Sequence, residues 1–144
     1  MIRQANQEDS PVVAQLAAQM WLSHTAEDLT DEFNSLLRKS DAAVFLCLTG
    51  DKPIGFAQCQ LRYDYVEGTE TSPVGYLEGI FVAEEYRRQG YAAKLLDACE
   101  QWAKDQGCTE FASDCELENT RSLAFHLRCG FQEANRIICF TKKI

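Results

Sequence analysis

No stretch of the sequence approaches the roughly eighteen consecutive apolar residues of a membrane span. The opening residues, MIRQANQEDSPVV, lack the apolar core of a secretory signal. The chain is therefore expected in the cytoplasm, with no membrane partner. No CxxC pair occurs among the seven cysteines, at 47, 59, 99, 108, 115, 129 and 139, and histidine appears only at 24 and 126. That supplies no ligand set for a structural zinc, so no metal is expected. Scattered thiols in a reducing compartment read instead as small buried apolar residues. Basic residues are scarce: 14 Lys and Arg against 22 Asp and Glu give a formal net charge of -8. Nucleic acid wants clustered positive charge and is not an expected partner. A cationic small molecule suits this balance better. The phosphate-binding patterns GxxxxGK[ST] and GxGxxG are absent too, as are repeats and low-complexity linkers.

What is present reads as one α/β domain over residues 1–144. IRQA is a short first strand. Ser10 is a candidate N-cap with Pro11 following, and Val12, Val13, Leu16, Ala17, Met20 and Trp21 recur at helical spacing, predicting a helix to about residue 22. A second, acidic helix is expected over 27–38, and AVFLCLTGDKPIGFAQCQLR reads as a hairpin through a Gly-Asp-Lys-Pro turn. The strand VGYLEGIFV follows a polar loop. From Gly90 the period changes to that of an amphipathic helix, which Gly107 terminates. TEFASDC is expected as a strand, NTRSLAFHLRCG as a helix capped by Asn119 or Thr120, and FQEA and RIICFTKK as two last strands.

The stretch EYRRQGYAA lies between a strand and a helix, where the first backbone N–H groups of the helix lack partners and carry its positive dipole end. Gly90 lets a ligand approach the backbone, Ala92 keeps the next turn open, and Arg87 and Arg88 add charge. By itself this is an anion-binding helix start. Two acids stand out elsewhere. Glu78 sits inside an apolar strand, where a carboxylate is costly unless paired or functional. Asp114 follows a buried-looking strand at its C-terminal end, the edge at which α/β sheets bind ligands.

Arg87-Arg88-Gln89-Gly90-Tyr91-Ala92 resembles the R/Q-x-x-G-x-G/A signature of the GNAT acyl-CoA-dependent N-acetyltransferases, and NTRSLAFHLRCGF is similar to the family's N-x-x-A-x-x-x-Y-x-x-x-G-F helix. The resemblance implies a central, mixed, twisted β-sheet with a bulged, splayed strand pair, flanked by about four helices. It implies acetyl-CoA as cosubstrate. Backbone groups of Ile80, Phe81 and Val82 would hold the pantetheine arm and acetyl carbonyl, with Glu78 just before the bulge. The amides of Arg88, Gln89, Gly90, Tyr91, Ala92 and Ala93 would cradle the pyrophosphate, and Asn119 would contact the coenzyme arm.

A closer resemblance lies in MW at 20–21, YDYVEGTETSPVGYLEGIFV at 63–82, ASDCELENT at 112–120, and GFQEANRI. These look like the aminoglycoside 6'-N-acetyltransferase subgroup, which implies antibiotic resistance by acetylation of a 6'-amine, a homodimer and no metal. It implies Trp21 and Tyr65 against the sugar rings, although Trp21 on a helical stripe would otherwise read as a core residue and Tyr65 as a plain β-residue. A carboxylate near the acceptor nitrogen both binds the ammonium and can take its proton. Glu78 and Asp114 are the candidates, Glu78 first, with an oxyanion donor at Val82 or Phe81. Two departures accompany the resemblance. His126 stands where the family often carries a tyrosine as leaving-group acid, and Asn135 stands where some members carry an acid facing the drug. Two other readings use the same residues: acetylation of a polyamine or protein amine, and acyl-CoA binding without turnover.

Overall fold

The computed structural model describes all 144 residues. Five strands form one sheet in the order β1 (Ile2–Gln4), β2 (Ala42–Thr49), β3 (Lys52–Arg62), β4 (Val74–Val82) and β5 (Phe111–Ala112). Neighbours are antiparallel except β4 and β5, which run parallel. Four helices flank the sheet: α1 (Ser10–Ala18), α2 (Ala26–Leu36), α3 (Tyr91–Asp105) and α4 (Thr120–Arg128). The architecture is the mixed α/β one expected.

Alternation along β2 explains the two layers. Val44, Leu46 and Leu48 pack with α1 and α2, through Val13, Leu16, Leu29 and Phe33. Ala43 and Cys47, pointing the other way, join Leu95, Leu96, Cys99 and Trp102 of α3. Both faces of the strand are therefore buried, which is why it reads as an uninterrupted apolar run. Phe125 of α4 and Cys129 just after it add to the α3 side. Local chemistry sets the helix ends. The Thr25 hydroxyl accepts from Asp28 N–H at 3.1 Å to start α2, and Asn119 Oδ1 accepts from Ser122 N–H at 3.1 Å to start α4. Gly107 and Gly130 follow α3 and α4 in left-handed conformation, at φ 92° each.

Three expectations give way. The first helix ends at Ala18 and not near residue 22, and Ser10 is its first residue, not its cap. The cap chemistry lies one turn earlier, where Asn6 and Asp9 form a capping box around a short 3-10 turn. Second, TEFASDC contributes only Phe111 and Ala112 to the sheet, because β5 leaves β4 after two pairs. Third, neither FQEA nor RIICFTKK is a strand: no backbone–backbone hydrogen bond involves residues 132–144. Their strand propensity is genuine, but a strand needs a neighbour, and this chain offers none beside them. The cysteines form no disulfide; Cys47, Cys59, Cys99 and Cys108 are buried as small core residues.

Candidate active site

The sheet opens between β4 and β5. Gly75 pairs with Phe111 and Tyr76 with Ala112, after which the strands part, Leu77 and Ser113 being the first residues beyond the split. On its other side β4 stays paired to β3 as far as Val82. The pairing steps from Gln58–Gly79 to Cys59–Leu77, so Glu78 is itself the bulged residue, one position earlier than a bulge beyond it would require. The hydrogen bond from Ala83 N–H to the Ile54 carbonyl, at 2.8 Å, sets the alternation of the ladder. Phe81 then exchanges bonds with Phe56, while Ile80 and Val82 turn their backbone groups into the split. Of the three residues expected to offer free groups, Phe81 is therefore withdrawn. The Val82 carbonyl accepts from Arg87 Nε at 2.8 Å, leaving the Val82 N–H.

Beyond β4 lies the arginine-glycine turn. Arg88 and Gly90 both adopt positive φ, 63° and 85°, which turns successive N–H groups inward. Gly90 is the N-cap of α3 and supplies no side-chain cap. No acceptor within the chain meets the N–H groups of Arg88, Gln89, Gly90, Tyr91, Ala92 or Ala93; the first satisfied amide is that of Lys94. Open space surrounds the position a Gly90 Cβ would take. This cradle of unpartnered donors at the positive end of a helix fits a pyrophosphate. Arg87 is tied back to Val82, so the exposed cation of the pair is Arg88.

The opposite face of the split holds the polar residues. Glu78 receives a bidentate ion pair from Arg62, Nε to Oε1 at 2.9 Å and Nη2 to Oε2 at 3.0 Å. The same guanidinium stacks 3.5 Å from the centre of the Tyr76 ring. The Tyr76 hydroxyl donates to Asp114 Oδ2 at 2.5 Å. Burial first, and the Asp114 carboxylate second, push the Tyr76 phenol well above its usual range, so it remains a donor at all physiological pH. Glu78 and Asp114 are thus joined through Arg62 and Tyr76. Trp21 lies beside Gly79, whose Cβ would come within 2.9 Å of the indole Cζ2, and stacks on Phe33 at 6.3 Å. It is both a packing residue and a wall of this face.

Other expected residues are placed less centrally. Tyr65 is 78% exposed and its hydroxyl reaches Glu67 Oε2 at 3.3 Å. Asn135 Nδ2 donates to Glu67 Oε1 at 2.9 Å, so Tyr65 and Asn135 meet at one carboxylate on the rim. Asn119 spends its Oδ1 on capping α4, leaving its amide N–H groups. His126 is held at both nitrogens, Nδ1 by the Ser122 carbonyl at 2.7 Å and Nε2 by Ser113 Oγ at 2.8 Å. Arg62 and Ser113 are the site residues that reading the sequence missed. Arg62 ends an ordinary strand and Ser113 stands in an unremarkable run, so only their contacts mark them. No group of three His, Cys, Asp or Glu side chains converges to hold a metal ion.

The family profile described as "Acetyltransferase (GNAT) family" matches residues 6–131. An aminoglycoside N(6')-acetyltransferase type 1 from Stenotrophomonas maltophilia is 41% identical over 140 residues, covering 96% of this chain and 90% of that one. The enzyme of the same name from Salmonella typhimurium is 37% identical, over 99% and 98% of the two chains. Among solved structures, AAC(6')-Iy in complex with the bisubstrate analog CoA-S-monomethyl-acetylneamine superposes with a TM-score of 0.95 at 36% identity, covering all of this chain and 98% of that one.

Proposed function

The chain belongs to the GNAT acetyltransferase family, and from that premise we propose that it is an aminoglycoside 6'-N-acetyltransferase, transferring acetyl from acetyl-CoA to the drug's 6'-amine. The observation that carries the acceptor is likeness along the whole chain to enzymes of that activity, one of them seen with a joined coenzyme–aminoglycoside analog. The electrostatics support it. Glu78, Asp114 and Glu67 supply negative charge on the face away from α3, in a chain of net charge -8.

The two faces divide the work. On the α3 side, the amides from Arg88 to Ala93 hold the pyrophosphate, and the outward groups of Ile80 and Val82 receive the pantetheine arm, with Asn119 alongside. On the other side, Trp21, Tyr65 and Asn135 border the drug. Glu78 binds the ammonium and takes its proton, directly or through water, as the amine attacks. Arg62 holds that carboxylate in one orientation, and the incoming ammonium competes for it. Tyr76 holds Asp114 in place as a second anion. The Val82 N–H, turned into the split, faces the charge that develops on the carbonyl oxygen. Transfer is direct and needs no nucleophile from the protein.

The chain acts as a single catalytic domain and as a homodimer. The support for the dimer is the C-terminal arm, where Ile137, Ile138 and Phe140 are 70%, 80% and 87% exposed on a segment with no strand partner of its own. Free cysteines suit the cytoplasm, where acetyl-CoA is supplied.

The test is thiol release from acetyl-CoA by the purified chain, comparing tobramycin, a 6'-hydroxyl aminoglycoside and spermidine. Release that needs the 6'-amine is the expected result. Release with spermidine alone would sink the drug assignment. Exposed Cys115 and Cys139 react with thiol reagents, so a no-amine control is subtracted.

A further inference from the structure

The departing sulfur takes up a proton, because a thiol of ordinary pKa near 8.5 is mostly protonated at neutral pH, and a proton delivered as the bond breaks keeps the thiolate from returning to the carbonyl. His126 stands where the sequence resemblance places that acid, yet its ring has no free nitrogen. Nδ1 lies 2.7 Å from the Ser122 carbonyl oxygen, which can only accept, so Nδ1 carries hydrogen whatever the charge of the ring. Nε2 is occupied by Ser113 Oγ at 2.8 Å. The imidazole therefore reaches nothing directly, and acts only through the serine.

Ser113 is well placed for that. It is the first residue of the β5 line beyond the split. Phe111, two residues earlier, packs into the α3 cluster, while Ala112 joins Val66, Val74 and Tyr76. Its contact with His126 of α4, a helix that packs with Phe111 into the α3 cluster, puts the Ser113 hydroxyl on the Phe111 side, the side of the amide cradle. Ser113 is half-buried, and its contact to His126 spans two elements, β5 and α4.

Resting on the acetyltransferase reading above, we propose that Ser113 is the catalytic residue that protonates the leaving thiolate, with His126 behind it as the source of the proton. When His126 is an imidazolium, Nε2–H donates to Ser113 Oγ, and the serine's own hydrogen, held only by a long 3.5 Å contact to the Asp114 carbonyl, can turn to the sulfur. As the carbon–sulfur bond breaks, its electron pair stays on sulfur. The Oγ proton moves to sulfur and the Nε2 proton moves to Oγ. Serine ends as a hydroxyl, imidazole ends neutral, and the thiol leaves; His126 regains its proton from solvent. When His126 is neutral, Ser113 spends its hydrogen on Nε2 and has none for the sulfur. The rings of Phe125 and Phe131 lie 5.8 and 5.0 Å from the imidazole. The charged and titratable groups nearby are Arg121 and Arg128 of α4, Cys129 just after it, Asp97 and Glu100 of α3 near Cys129, and Asp114 and Cys115 after Ser113.

The experiment is single turnover of the full chain, in excess over acetyl-CoA, with tobramycin, reading loss of the thioester so that product release does not mask the step. Ser113→Ala should slow it by about 100-fold, the lower end for a general acid, with the affinity for coenzyme A unchanged. Ser113→Thr, which keeps the hydroxyl, should recover most of the rate. His126→Gln holds the serine but has no mobile proton, and should fall as far as Ser113→Ala; this variant carries the test if the alanine does not fold. The double variant should be no slower than either single, as for two residues acting in one step. Single-variant rates close to wild type would overturn the relay, as would losses that multiply in the double variant. If wild type leaves tobramycin untouched but acetylates spermidine, the drug assignment fails and the same comparison on spermidine decides the relay. If neither amine is acetylated, both fall.

Discussion

Arg62 grips Glu78 with two parallel hydrogen bonds, at 2.9 and 3.0 Å, on the one residue of β4 that has no partner across the ladder. The bulge turns the carboxylate out of the sheet, and the guanidinium, stacked on Tyr76, keeps it from swinging. A residue that looks costly within an apolar strand is thereby satisfied while staying partly accessible.

Glu78→Gln keeps the volume of the side chain but loses its charge and basicity. Steady-state kinetics should show kcat with tobramycin falling by about 100-fold or more, the range for loss of a general base. Coenzyme A affinity, measured by titration calorimetry, should be unchanged. Equal loss of coenzyme binding would mean that the variant disturbs the split itself.

Tyr76 donates to Asp114, and burial with that carboxylate raises the phenol above its unfolded value near 10. A raised acid binds its proton more tightly in the folded state. The stability linked to it is present below pH 10 and lost as pH rises above that value. Tyr76→Phe should therefore cost about 1 kcal/mol at pH 8, a typical hydrogen bond, and distinctly less at pH 10.5. Urea denaturation at the two pH values checks this; a cost that grows with pH would refute it.

Gly90 holds φ 85° at the mouth of the amide cradle. Gly90→Val should lower coenzyme A affinity by about 10-fold or more, since a β-branched residue resists the left-handed region and reshapes the turn. The KM for the aminoglycoside, measured at saturating acetyl-CoA, should hardly move.

Gly79 backs the Trp21 ring, and an added Cβ would approach it within 2.9 Å. Gly79→Ala must displace the indole, so the opposite split is expected: the KM for tobramycin rises several-fold while coenzyme A affinity is retained. A parallel loss of both would show that the two faces are not separable.

The arm beyond Asn135 has no backbone partner within the chain. Ending the chain after Asn135 should convert a dimer to a monomer by sedimentation, while the wild-type chain sediments at twice its 16.3 kDa. A monomeric wild-type chain would remove the dimer from the proposal.

Much of this protein was legible in its residues because the signals are local. Helical spacing in Leu95, Leu96 and Cys99, glycine at the two helix stops, and Arg88 with Gly90 before α3 each specify structure over a few residues. The motif turn in particular needs no distant partner, and its six unpartnered amides lie where they were expected. The residues of the amide cradle were therefore determined by the sequence itself. The tertiary structure alone decided everything that depends on two distant segments meeting. Arg62 finds Glu78 across 16 residues, and Tyr76 finds Asp114 across 38. The bulge falls on Glu78 because β3 and β4 slip by one residue, a register that no single strand encodes. For the same reason the strand propensity of RIICFTKK was not enough: pairing belongs to two strands at once, and this chain holds only one of them.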